Sequence, residues 1–160
     1  MKIRIGAMLL LAVSCAPPAV KPVSSPDPEA GCPGGAARWS LEITDGRAER
    51  SDSRTLMSGL RDSLTRSFPA CRWEAGAGTI RVDVHRFRAD FDGEVWNAVA
   101  DWTVLVSDAA GRTMTQFEAL EEAVRPNYRA ENNEKAALQE VFDHALQRTL
   151  AGLRNVRIPG

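Results

Sequence analysis

From Trp96 to Val106 the chain alternates without a break. Trp96, Ala98, Ala100, Trp102, Val104 and Val106 fall on one side, and Asn97, Val99, Asp101, Thr103 and Leu105 on the other. A period of two is the signature of a β-strand with one buried face, because successive side chains of a strand point to opposite sides. A sheet with one apolar side must be covered by a second layer. Two segments with helical spacing, near residues 52–67 and 132–153, are the natural covers.

The other elements follow from similar patterns. Trp39, Leu41 and Ile43 alternate with Ser40, Glu42 and Thr44 before an Asp45-Gly46 turn, which predicts a short first strand. Ser51, Asp52 and Ser53 offer capping oxygens ahead of Leu56, Met57, Leu60, Leu64 and Phe68, whose spacing predicts an amphipathic helix that Pro69 ends. Arg54, Arg61, Asp62 and Arg66 occupy its polar side. After Gly76-Ala77-Gly78, Ile80, Val82 and Val84 share one phase, whereas Phe87 and Phe91 take the other, so a bulge is expected near Arg86. Asp92-Gly93 and Asp108-Ala109-Ala110-Gly111 are turns that join this strand to the central one and the central one to a fourth, about Arg112 to Val124. Glu118, Glu121 and Glu122 mark the fourth strand as an edge, where charge discourages pairing with other chains. After Pro126, Asn132 or Asn133 caps a helix bearing Leu138, Val141, Phe142, Ala145, Leu146, Thr149, Leu150 and Leu153, with Glu134 near its positive end. The order is β-α-β-β-β-α: an α+β two-layer sandwich, with a mainly antiparallel sheet and two helices on one face.

The N-terminus carries the most specific signal. Lys2 and Arg4 precede an apolar and small-residue run from Ile5 to Val13, and Ala12-Val13-Ser14 stand directly before Cys15. This is the pattern of a signal peptide over residues 1–14, and its apolar run is about half of the roughly 20 residues a membrane-spanning helix needs. Leu11-Ala12-Val13-Ser14-Cys15 resembles a bacterial lipobox, which makes Cys15 the expected site of lipidation, palmitate included, and the membrane the expected partner. With Ala16 following the cysteine, resemblance to the sorting rule of enteric bacteria favours the periplasmic side of the outer membrane, the inner membrane being the alternative. The other reading of the same segment is an ordinary secretory signal with an incidental cysteine.

Residues 15–37 read as the lipidated cysteine and a tether. Pro17, Pro18, Pro22, Pro26, Pro28 and Pro33 stand among serines and glycines with no period of either kind, so a semi-extended linker is expected. A single domain then occupies residues 38–158. If Cys15 carries lipid, Cys32 and Cys71 remain as an even pair outside the cytoplasm, which predicts a disulfide; two unpaired thiols are the alternative. The formal charge of −1 becomes more negative when Lys2 and Arg4 are removed, so no basic excess points to nucleic acid.

The stretch IRVDVHRFRADFDGEVWNAVADWTVLVSDAAGR from Ile80, followed by NYRAENNEKAALQEVFDHAL, resembles the YajG family of small bacterial lipoproteins. The shared pattern is a strand ending in an Ala-Asp pair, a second strand reaching a glycine turn, a third strand, and an Asn-rich cap opening the last helix. The helix from Ser53 to Phe68 fits as well, so the resemblance covers roughly residues 50–155 and the lipobox. It departs at Trp96, Trp102 and the two further cysteines. The same element order resembles the lipopolysaccharide-assembly lipoprotein LptE and the auxiliary lipoproteins of lipid-transport ABC systems.

No catalytic set stands out, and no cofactor is implied. His85 and His144 are the two histidines; they fall on a strand and a helix with no nucleophile pattern beside them. Asp83 and His85 share a strand face, but two ligands do not make a metal site. Trp96 and Trp102 have two readings. They are core residues of the central strand, or, about 20 Å apart at ~3.3 Å per residue, one of them lines an acyl-chain groove. Two functions therefore stand: a lipid-anchored, non-catalytic interaction or accessory module of the bacterial envelope with an unknown protein partner, or a lipid-handling auxiliary lipoprotein of an envelope transport or lipopolysaccharide-assembly system.

Overall fold

The computed structural model describes residues 20–21, 31–50, 52–127 and 133–157. Its elements are β1 (Ser40–Asp45), α1 (Ser53–Ser67), β2 (Gly78–Phe91), β3 (Val95–Asp108), β4 (Thr113–Pro126) and α2 (Asn133–Arg154), with a turn of 3-10 helix at Pro33–Gly35 ahead of β1. The strands form one sheet in the order β1-β2-β3-β4. β2, β3 and β4 are an antiparallel meander, whereas β1 lies parallel to β2. A parallel neighbour requires a crossover, and α1 provides it. This is the α+β order that the alternation predicts, and β4 is an edge.

The tight turns are built by aspartates. Asp92 accepts the amides of Glu94 and Val95, and Asp108 those of Ala110 and Arg112, while Gly93 and Gly111 take the left-handed backbone. The register of β2 against β3 shifts between Val84 and Arg86. Val84 pairs with Trp102 before the shift, and Phe87 pairs with Ala100 after it. The extra residue returns Phe87 to the side of Ile80, Val82 and Val84, and all four are buried.

Both helices lie on that side. Leu56, Leu60 and Leu64 of α1 and Val141, Phe142, Ala145 and Leu146 of α2 meet Trp102, Val104 and Val106 of β3 in a single core. Trp102 is 0% exposed, its ring is 6.2 Å from that of Phe142, and its Nε1 donates to Thr149 Oγ1 at 2.8 Å. The Thr149 hydroxyl passes the bond on to Ala145 O at 2.9 Å, so the polar edge of the indole is satisfied inside the core.

The start of α1 differs from expectation. Asp52 stands at the N-cap but makes no side-chain cap bond, and Ser51 and Asn132 lie outside the described residues. The Asp52 carboxylate binds Arg47 instead, at 2.8 Å. Arg47 is 8% exposed and also pairs with Asp45 through Nε at 2.9 Å and Nη2 at 2.8 Å, while its Nη1 donates to Phe87 O at 3.1 Å. One guanidinium thus ties the end of β1, the start of α1 and the backbone just beyond the β2 bulge. A buried cation with this many donors recruits the nearest carboxylates, and Asp52 is more use there than as a cap. The hydrogen bonds from Arg47 hold Asp45 far below the usual carboxylate range, and Asp45 in turn raises Arg47.

Candidate functional site

The N-terminal segment does not simply lead away from the domain. Val20 is 8% exposed and belongs to the core cluster. It fills a cleft between α1 and α2 that exists because position 59 is glycine: a Cβ there would come within 2.7 Å of Val20 Cγ2 and 3.8 Å of Phe142 Cζ. Phe142 approaches Gly59 from α2, and Leu56, Leu60 and Leu64 of α1 are buried in the same core cluster as Val20. Beside Val20, Gln139 grips the chain with both ends of its amide. The Lys21 amide donates to Gln139 Oε1 at 2.7 Å, and Gln139 Nε2 donates to Lys21 O at 3.2 Å. The same nitrogen donates to Asp143 Oδ1 at 2.8 Å, which fixes the rotamer of the gripping side chain. Lys21 itself is exposed, so the segment lies at the surface of the helical layer.

A second attachment follows. Cys32 and Cys71 are joined, with an S–S distance of 2.01 Å and Cα atoms 5.2 Å apart. Pro33 is buried, its carbonyl accepts Trp39 Nε1 at 3.0 Å, and the Trp39 amide donates to Arg72 O at 3.0 Å. Ordered structure therefore begins ahead of Arg38, and the segment read as a semi-extended tether meets the domain at Val20–Lys21 as well as at Cys32. Cys15, residues 1–14 and the remainder of the proline-rich segment between Lys21 and Gly31 lie outside the described residues.

The opposite face of the sheet carries no helix among the described residues. Here Arg81 pairs with Asp83 at 2.8 Å, Thr44 donates to Asp83, His85 meets Thr103 at 2.9 Å, and Arg86 pairs with Asp101 at 2.8 Å. Asp83 and His85 do share this face, yet each is spent on a different neighbour. Asp101 is 6% exposed; one of its oxygens takes Arg86, and the other has no partner among the described residues. Val99, Leu105 and Leu120 lie between these polar groups, half-buried. Such a mixture of half-buried aliphatics, ion pairs and an open acceptor can receive a protein surface.

The glutamates of β4 do not form a cluster. Glu121 faces the helices and pairs with Arg148 at 3.1 Å, whereas Glu118 and Glu122 face outward with Leu120. His144 is exposed on α2. Trp102 belongs to the core, whereas Trp96 is half-buried at the far end of β3 and packs on Phe91, which is 45% exposed, at 5.1 Å between ring centres. Among the described residues no three His, Cys, Asp or Glu gather to hold a metal ion, and no helix is long and apolar enough to cross a membrane.

Val20, Gln139 and Arg47 escape sequence reasoning. A valine in a proline-rich stretch and one arginine among many carry no periodic signal, although Gly59 inside an otherwise good helix was a hint of a close approach.

No family model matches this chain, and no curated protein matches it. Solved structures do. A Xanthomonas campestris protein of family DUF330 matches with a TM-score of 0.54 at 15% identity, over 85% of this chain and 90% of that one. A lipoprotein of Neisseria meningitidis matches with a TM-score of 0.49 at 8% identity, over 72% of this chain and 99% of that one. At these identities the first match shows a shared fold.

Proposed function

We propose that this protein is a lipid-anchored, non-catalytic interaction module of the bacterial envelope, of the small-lipoprotein kind that its YajG-like pattern suggests. The observation that carries this reading is the seat of Val20, a few residues beyond the lipobox cysteine. An N-terminal segment that is gripped by Gln139 and then joined through Cys32 is built to connect an anchor to a body. The sheet face that no helix covers among the described residues, with Val99, Leu105 and Leu120 between ion pairs, is the surface offered to a protein partner. The outer membrane is the location that Ala16 after Cys15 favours.

The anchor is tested by metabolic labelling with a clickable palmitate. The wild-type chain takes the label, and Cys15→Ser accumulates as an unlabelled precursor; undiminished labelling of the variant would refute the reading. The partner face is tested in cells with a photo-crosslinking residue at Glu118, on the open face, against one at His144, on α2. Crosslinks to one envelope protein from position 118 and none from 144 support the module, and the reverse pattern removes the sheet face from it.

The lipid-handling reading draws on one observation, the Phe91–Trp96 pair presented at the end of the β2–β3 hairpin. Tryptophan fluorescence that shifts to the blue with added phospholipid vesicles, and does so no longer in Trp96→Ala, would favour it.

A further inference from the structure

We infer that the Val20–Lys21 seat sets the orientation of the domain on the membrane, with the helical layer turned to the lipid surface and the open sheet face turned away. The inference rests on the lipid anchor at Cys15 proposed above.

The argument is one of reach. Val20 is five residue steps on from Cys15, and a fully extended chain spans at most about 3.3–3.6 Å per residue, so the seat lies within about 18 Å of the anchored cysteine. A domain of this length has a radius of gyration of about 14 Å, hence a diameter of about 35 Å. The leash is thus about half a diameter long. It can hold α1 and α2 at the headgroups, but it cannot let the far side of the sheet reach them. Were the chain attached to the body only at Cys32, the seventeen residues from Cys15 would span about 56–61 Å, and any face could approach the lipid. The seat, not the length of the tether, therefore decides the orientation.

The seat is specific enough to do this. It combines a buried valine, a pocket that only glycine at position 59 leaves open, and two hydrogen bonds to the backbone of Lys21 from one side-chain amide whose rotamer Asp143 fixes. The exposed Lys21 beside it places a cation on the side that meets anionic headgroups. The consequence for function is that Val99, Asp101, Thr103, Leu105 and Leu120 face a partner that approaches from the aqueous side, not one embedded in the same leaflet.

The test uses the full acylated chain reconstituted in phosphatidylcholine–phosphatidylglycerol vesicles, with a dye at His144→Cys on α2 or at Glu118→Cys on the open sheet face, and a nitroxide quencher on the lipid headgroups. Mass spectrometry first establishes the acyl chains on each sample. The expected result is several-fold stronger quenching at position 144 than at 118, and loss of that difference in Gly59→Leu, which fills the seat. Val20→Ser/Gln139→Ala, which weakens the seat without crowding the helices, gives the same loss should Gly59→Leu fail to fold. Equal quenching at the two positions in the acylated wild type, or a difference that survives both variants, overturns the inference while leaving the anchor intact. A sample without acyl chains overturns the anchor itself, and this inference with it.

Discussion

Replacing Arg47 by methionine removes the one cation that Asp45 and Asp52 share. The stem of the side chain is largely preserved, so the change isolates the guanidinium. Its loss leaves the Asp45 carboxylate, whose side chain is 6% exposed, without the bonds to Nε and Nη2, and leaves Phe87 O without Nη1. Asp52 is less enclosed, at 14%, and can turn to water. Breaking a buried ion pair by deleting one partner costs about 3–5 kcal/mol, because an uncompensated charge remains. Against the ~5–15 kcal/mol that holds a domain together, that is a severe loss. The pH profile provides a second reading. In the wild type the folded Asp45 pKa lies below its unfolded value, so its contribution is fully present above about pH 4 and declines as the pH falls further toward the folded pKa. In Arg47→Met the strongest cause of that lowering is gone, while burial still raises the folded pKa and only Ser53 and the backbone amide of residue 47 remain to lower it, so the folded pKa moves up. The stability deficit of the variant should therefore be largest at pH 7 and shrink as the pH is lowered from 7 toward 3. Urea unfolding of the unlipidated Cys15→Ser protein across this range measures both effects. Asp45→Asn/Arg47→Met should recover part of the loss, since no charge is then stranded. A loss below about 1 kcal/mol at pH 7, with no pH dependence of the difference, would show that the triad is a solvated surface cluster and refute the reasoning.

Other perturbations follow from the same contacts. Thr149→Val keeps the volume but strands Trp102 Nε1 in a fully buried place, so a loss of about 1–3 kcal/mol is expected, and a double-mutant cycle with Trp102→Phe should show that most of it is coupling. Reducing the Cys32–Cys71 bridge, with the cysteines 39 apart in sequence, should lower stability by up to roughly 4 kcal/mol in the chain-entropy model; an unchanged urea midpoint after reductant would contradict this. A Cβ at Gly78 would stand 1.9 Å from Ser107 O, which is backbone, so Gly78→Ala should cost about 1–3 kcal/mol and weaken amide-exchange protection where β2 begins its pairing with β3.

The alternation of Trp96 to Val106 and the three-and-four spacing of Leu138 to Leu153 are local records of backbone geometry, and they were enough to write the element order and the buried face. The bulge in β2 was legible for the same reason: Val84 and Phe87 cannot both face the helices unless one residue is added between them. The turns at Asp92-Gly93 and Asp108–Gly111 were legible because their side chains and glycines act within four residues. What the tertiary structure alone decided are the contacts whose partners have no local reason to meet. Strand β1 could pair with β2 or with β4 as far as its own residues go, and the crossover through α1 selects the parallel pairing with β2. Arg47 is buried only because the end of β1, the start of α1 and the carbonyl beyond the bulge converge on it. Val20 lies in an aperiodic, proline-rich stretch, and its burial requires Gly59 and Phe142, on two different helices and more than eighty residues apart in the chain, to leave a cleft of one side chain's width. Periodicity is written into neighbouring residues by the backbone, whereas a seat for a single valine exists only after the helices have been brought together on the sheet.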